Sequence, residues 1–164
     1  MSLLQFCEWA EASAVGIMVK ESIWGFPILV ALHILGLTLS VGTVVWLDLR
    51  LLGVSMQRCR ASEMYRRLMP WSLTGFLVMF ITGAMLFAGF ATAAYSNVYF
   101  RLKLAAMLLA GVNAAMYHLV TEREIAKWDE AGPPSFGARF AGLASILLWT
   151  WVVIAGRMMS YTMF

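Results

Sequence analysis

Between Trp24 and Leu47 the chain carries no charged side chain. A run of that kind is long enough to cross the hydrocarbon of a bilayer as one helix, which takes about 20 residues. Three further stretches have the same character, at about 68–90, 98–120 and 140–161. Pro27 falls in the opening turn of the first and Pro70 at the start of the second, where a missing N–H does least harm. The third holds Arg101 and Lys103 in its first turns. Gly132-Pro133-Pro134 breaks the chain before the fourth, and Ser135 is placed to cap it. With 62% of its residues hydrophobic, 13% charged and a mean hydropathy of +0.78, the chain would expose more apolar surface as a soluble globule than water tolerates. It also has too much to bury to stay disordered. The sequence predicts an all-α integral membrane four-helix bundle, a single transmembrane domain over residues 1–164.

Residues 2–20 form a fifth element. Leu3, Phe6, Ala10, Ala14 and Ile17 recur at helical spacing while Glu8, Glu11 and Lys20 lie elsewhere, which predicts an amphipathic helix lying in the interface. The same stretch lacks a basic leading segment and does not read as a cleaved signal peptide. The loops set the orientation. The segments 48–67 and 121–139 hold eight Lys and Arg residues, against four on the other side. The bias places both long loops in the cytoplasm and both termini outside, in a bacterial inner membrane. Those cations beside a hydrophobic run account for the net charge of +3 as a topology signal, and exclude nucleic acid as a partner. Cys7 and Cys59 fall on opposite sides, too far apart for a disulfide. No nucleotide-binding, hydrolytic or zinc-ligand motif is present.

Ionisable side chains at membrane depth are the pointers to function. His33 lies between Leu32 and Ile34, with Gly36, Ser40 and Thr43 following it on a face of small and polar residues that suits packing against protein. His118 ends a stripe made by Lys103, Met107, Gly111 and Ala114, near the cytoplasmic end of the third span. Either imidazole could bind a metal. The axial gap between them is roughly 13–17 Å, too large for one haem held edge-on between two histidines. Met107 and Met85 lie closer to the depth of His33, and His/Met is a known haem pairing; His with thioether also suits Cu(I). Arg157, Arg101 and Lys103 gather at the outer boundary, where they can grip haem propionates or snorkel to lipid phosphate. A second chain related by a two-fold axis would supply another His33 at equal depth, with the Gly36–Ser40–Thr43 face allowing close approach. Asp48 is expected to pair with an Arg of the following loop.

The run WGFPILVALHILGLTLSVGTVVWLDLRLLG (residues 24–53) resembles the opening of an uncharacterised family of small four-helix bacterial membrane proteins. The resemblance continues through Thr82-Gly83, Asn97, Phe100 and Lys103, then Asn113, His118, Trp149, Gly156-Arg157 and Tyr161, and its most specific piece is Asp-Leu-Arg-Leu-Leu-Gly. It implies a fold and no activity. The layout is also similar to the membrane domain of copper-resistance D proteins and to small b-type cytochromes. Three functions stay open at this point. One is a small redox protein binding haem b through His33, passing electrons to a periplasmic or quinone partner. Another is a copper-handling protein with His and Met ligands. The third is a structural subunit of a larger membrane complex. Besides the lipid bilayer, the partners expected are copies of the same chain, as a homo-oligomer, or the subunits of that complex.

Overall fold

The computed structural model describes residues 2–55, 60–117, 119 and 134–163. The described residues are helical almost throughout, in seven helices with no strand: α1 (Leu3–Glu11), α2 (Ala14–Glu21), α3 (Gly25–Leu51), α4 (Ala61–Gly89), α5 (Ala91–Ser96), α6 (Val98–Met116) and α7 (Phe136–Met163). Four of these, α3, α4, α6 and α7, are long and apolar enough to cross a membrane.

The termini of the helices follow local chemistry. At α1 the hydroxyl of Ser2 accepts from the Gln5 N–H while Gln5 Oε1 accepts from the Ser2 N–H, a reciprocal capping box. Helix α3 ends where Gly53 enters the left-handed region at φ 75°. The Gly53 N–H then bonds the Arg50 carbonyl and the Val54 N–H bonds that of Leu49, the Schellman pattern that needs a residue without Cβ. The final Gly of Asp-Leu-Arg-Leu-Leu-Gly is therefore the stop of the first long helix. Asn97 starts α6 by accepting from the N–H groups of Tyr99 and Phe100. Ser135 caps α7 through the Ala138 N–H, as expected. Pro70 lies inside α4, which begins well before it at Ala61, so the second span starts earlier than the sequence reading places it.

The N-terminal segment departs from expectation. It is two helices, separated where Ser13 accepts from the Gly16 N–H and donates to the Ala10 carbonyl, and it packs on the bundle. Cys7, Ala10 and Val19 are buried, whereas Leu3, Phe6 and Ile17 of the expected apolar face are exposed. Of the face that the periodicity identified, Ala10 alone turns to the protein and the rest turns away from it. The opposite face is lined by small residues: a methyl group on Gly16 would stand 2.8 Å from the Ala88 carbonyl oxygen of α4, and one on Gly89 would stand 2.7 Å from Val19. Glu11 ties the layer together, accepting from the backbone N–H and hydroxyl of Thr92 in α5 and from Lys20 in α2. Burial pushes its carboxyl up, but these hydrogen bonds outweigh that and hold it below the usual range. We call the end covered by α1, α2 and α5 the upper end.

Among the long helices α4 packs on α3, α3 on α7, and α7 on α6. The α3–α4 crossing is the tightest. A methyl group on Gly75 would lie 2.5 Å from the Ser40 nitrogen, and one on Gly36 would lie 3.1 Å from the Gly75 carbonyl oxygen. Small residues let backbones approach in this way. Between α6 and α7 the core is Ala106, Ala110, Trp149 and Val152, with Phe76 reaching in from α4. No Cα of α4 comes within 8 Å of one in α6. Large side chains reach across from α4: Phe87 stacks on Phe100 of α6 at 5.5 Å, and Phe76 meets Trp149 of α7 at 5.2 Å.

Candidate functional site

The wider gap, between α4 and α6, is where the intramembrane imidazole sits. His33 lies eight residues inside α3, about 12 Å below its upper end at 1.5 Å per residue. Its Nδ1 is 2.9 Å from the Thr82 hydroxyl of α4. That hydroxyl has one proton, and the Val78 carbonyl oxygen 2.6 Å away takes it, as is common for Thr inside a helix. Thr82 therefore accepts from His33. The proton is thus assigned to Nδ1, and Nε2 is left with its lone pair. The ring fits because position 83 is glycine: a methyl group there would stand 3.1 Å from His33 Cε1.

Lys103 approaches from α6. It is close enough to act electrostatically on the His33 ring, and its ammonium lies over Gly156 of α7, where a methyl group would be 3.6 Å from Nζ. Neither a carboxylate nor a hydrogen-bond acceptor engages it among the described residues. All four long helices thus contribute at one level: His33, Thr82-Gly83, Lys103 and Gly156.

The remaining candidates lie around this level. Arg101 is exposed and donates from Nε and Nη2 to the Tyr95 carbonyl at 3.1 and 2.9 Å. Arg157 is exposed and donates to the Tyr161 hydroxyl at 2.9 Å, its guanidinium over the same ring. Met107 is packed against the apolar cluster of α6 and α7. Met85 is half-buried on α4, three residues above Thr82. His118 lies outside the described residues, as does Cys59. The face of Gly36 and Ser40, read from sequence as open to a second chain, is covered by α4 of the same chain: Ser40 is fully buried, donates to the Gly36 carbonyl at 2.8 Å and has the Met79 sulfur 3.3 Å from its Oγ. Thr43 bonds its own helix.

At the lower end, Asp48 is 5% exposed and faces α7, with Ser145 in hydrogen-bonding reach. Among the described residues no arginine pairs with it, and Arg58 of the following loop lies outside them. Arg50 sits two residues on, which in a helix is close to the opposite face.

The donor set can be weighed against the two cofactors considered. A haem needs an axial imidazole whose other nitrogen is anchored, and His33 with Thr82 meets that requirement. The Lys103 ammonium has the right charge for a propionate. A copper ion held by the protein alone wants several soft ligands in one place. Among the described residues no three His, Cys, Asp or Glu side chains converge on one point. That set leaves out the methionine thioethers of the copper alternative, so the positive observation at the site is the pairing of the His33 ring with Thr82 beside the Lys103 ammonium. No curated protein and no solved structure matches the chain. A family model matches residues 6–162, nearly the whole length, in keeping with motifs spread from α3 to α7, and the chain belongs to the family of unknown function DUF6644.

Proposed function

We propose that this protein is a small membrane redox protein that holds a b-type haem through Nε2 of His33. The observation that carries the reading is the fixed ring: Thr82 takes the Nδ1 proton, so the lone pair of Nε2 is free and oriented. A bound haem supplies one-electron transfer. The chain's own residues bind and orient. His33 provides the ligand atom, Thr82 fixes its tautomer and direction, Gly83 leaves room for the ring, and Lys103 neutralises a propionate. In this reading the membrane is a bacterial inner membrane, both termini are periplasmic, and the electron partner is a periplasmic protein or a quinone.

The test is an absorption spectrum of detergent-purified protein from haem-replete cells. A Soret band is expected, and His33→Ala should abolish it while Arg101→Ala leaves it. Colourless protein that also fails to take up added hemin, with an intact helical circular dichroism spectrum, would overturn the proposal.

A further inference from the structure

At the lower end of the bundle the α3–α7 seam closes over a carboxyl group with an incomplete set of partners. A methyl group on Gly142 of α7 would stand 3.0 Å from the Asp48 carbonyl oxygen and 3.2 Å from Leu51 Cβ, so the helices are in close contact there. One turn further on, Ser145 is 7% exposed and Asp48 is 5% exposed. Ser145 lies within reach of the carboxyl, but Oδ2 is buried with no hydrogen-bond partner. The Asp48 backbone carbonyl is already used by the Leu52 N–H.

A buried carboxylate oxygen without a donor is among the most costly arrangements in a protein interior. One positive charge placed on Oδ2 removes the cost. Among the described residues, the charged side chains of that end do not supply it. Arg50 is buried with interactions of its own, and Arg60 likewise has interactions of its own. Glu63 and Arg67 pair with each other at the surface at 2.6 Å. Arg66 is exposed on α4, and the Arg139 guanidinium of α7 lies beside Gly53. A metal ion would need several oxygen ligands, and among the described residues the seam offers the carboxyl and one hydroxyl. A proton needs no further ligand and no room.

We propose that Asp48 is a proton-binding site of the membrane domain: Oδ2 takes one proton from water at the lower end, and the neutral carboxyl is what packs between α3 and α7. The step is simple binding. A lone pair of Oδ2 forms the O–H bond, the side-chain charge goes from −1 to 0, and nothing is oxidised or reduced. The site lies fifteen residues along α3 from His33, about 22 Å away at 1.5 Å per residue, and the inference does not depend on any cofactor there.

Infrared spectroscopy of the purified full chain in detergent at neutral pH tests it. The difference between wild type and Asp48→Asn should show one protonated-carboxyl C=O band, shifted to lower frequency in deuterated water. Asp48→Asn should melt within about 2 °C of wild type, since the amide copies the neutral acid in shape and charge. Asp48→Ala controls for packing and should melt lower. Absence of the carboxyl band, with the ionised carboxylate bands lost instead in Asp48→Asn, would overturn the proposal. So would a melting temperature that rises on replacing choline by sodium or potassium in wild type and not in Asp48→Asn, because the occupant would then be a metal ion.

Discussion

At the scale of single residues, the site depends on one hydrogen bond and one missing methyl group. Thr82→Val removes the acceptor of the His33 Nδ1 proton and keeps the shape. The unmet N–H should cost about 1–3 kcal/mol, and Thr82→Ser should restore most of it; chemical denaturation in detergent measures both. Gly83→Val puts side-chain atoms where the imidazole lies and should turn the ring away. Nitrogen chemical shifts of His33 should show a single Nδ1–H tautomer in wild type and lose it in Gly83→Val; a wild-type ring protonated on Nε2 instead would refute the assignment. How far this was legible beforehand differs by residue. His33 and Lys103 stand out because an ionisable group within an apolar run has few reasons to be there. Thr82 does not, because a threonine in a helix normally bonds its own backbone, and nothing local says which neighbour it also faces. The surroundings of Asp48 were not legible either: the expected partner was an Arg of the following loop, whereas the carboxyl turns to Ser145 of α7, a contact that only the packing of the helices decides.

At the scale of elements, the four long helices were plain from hydropathy, since the span length is set by the bilayer. Their closeness was not, because it depends on which glycines meet. Gly75 and Gly36 lie in the α3–α4 crossing, whereas Gly42 and Gly111 have nothing within 4 Å of an added methyl group. Gly75→Val must push against the Ser40 backbone and should destabilise by about 1–3 kcal/mol. Gly42→Ala and Gly111→Ala should be neutral or stabilise by up to about 1 kcal/mol through helix propensity. Equal effects in an unfolding series would contradict the packing described. The cap of α1, α2 and α5 responds to pH through Glu11. Its folded-state pKa is lowered, so its contribution is fully present above the ordinary carboxyl value of 4.5 and is lost as pH falls through the lower folded value. Glu11→Gln should flatten that part of the acid stability profile. It should also make the cap easier to digest with protease at neutral pH, because Lys20 loses its counter-charge and the Thr92 donors face a neutral acceptor.

At the scale of the whole molecule, an even number of crossings puts α1, α2, α5 and the end of α7 on one side, and the stop at Gly53 on the other. The contacts of α1 with α5 and of α5 with α7 hold that arrangement independently of hydropathy. Which side is which rests on the loops: eight Lys and Arg residues against four favour the lower end in the cytoplasm, because cations resist translocation. The native cysteines report this poorly, since Cys7 is buried at 3% exposure between α1 and α5. A cysteine-free chain with single replacements at exposed positions avoids the difficulty. Ser2→Cys and Ser160→Cys lie at the upper end, and Val54→Cys, at a residue 72% exposed, lies just past the α3 stop. In intact cells a membrane-impermeant maleimide should label the first two, and Val54→Cys should label only after permeabilisation. The reverse pattern would invert the orientation while leaving the fold intact. Labelling of Ser2→Cys and Ser160→Cys from opposite sides would mean an odd number of crossings, and the meeting of His33, Thr82, Lys103 and Gly156 from four helices at one depth could not then exist.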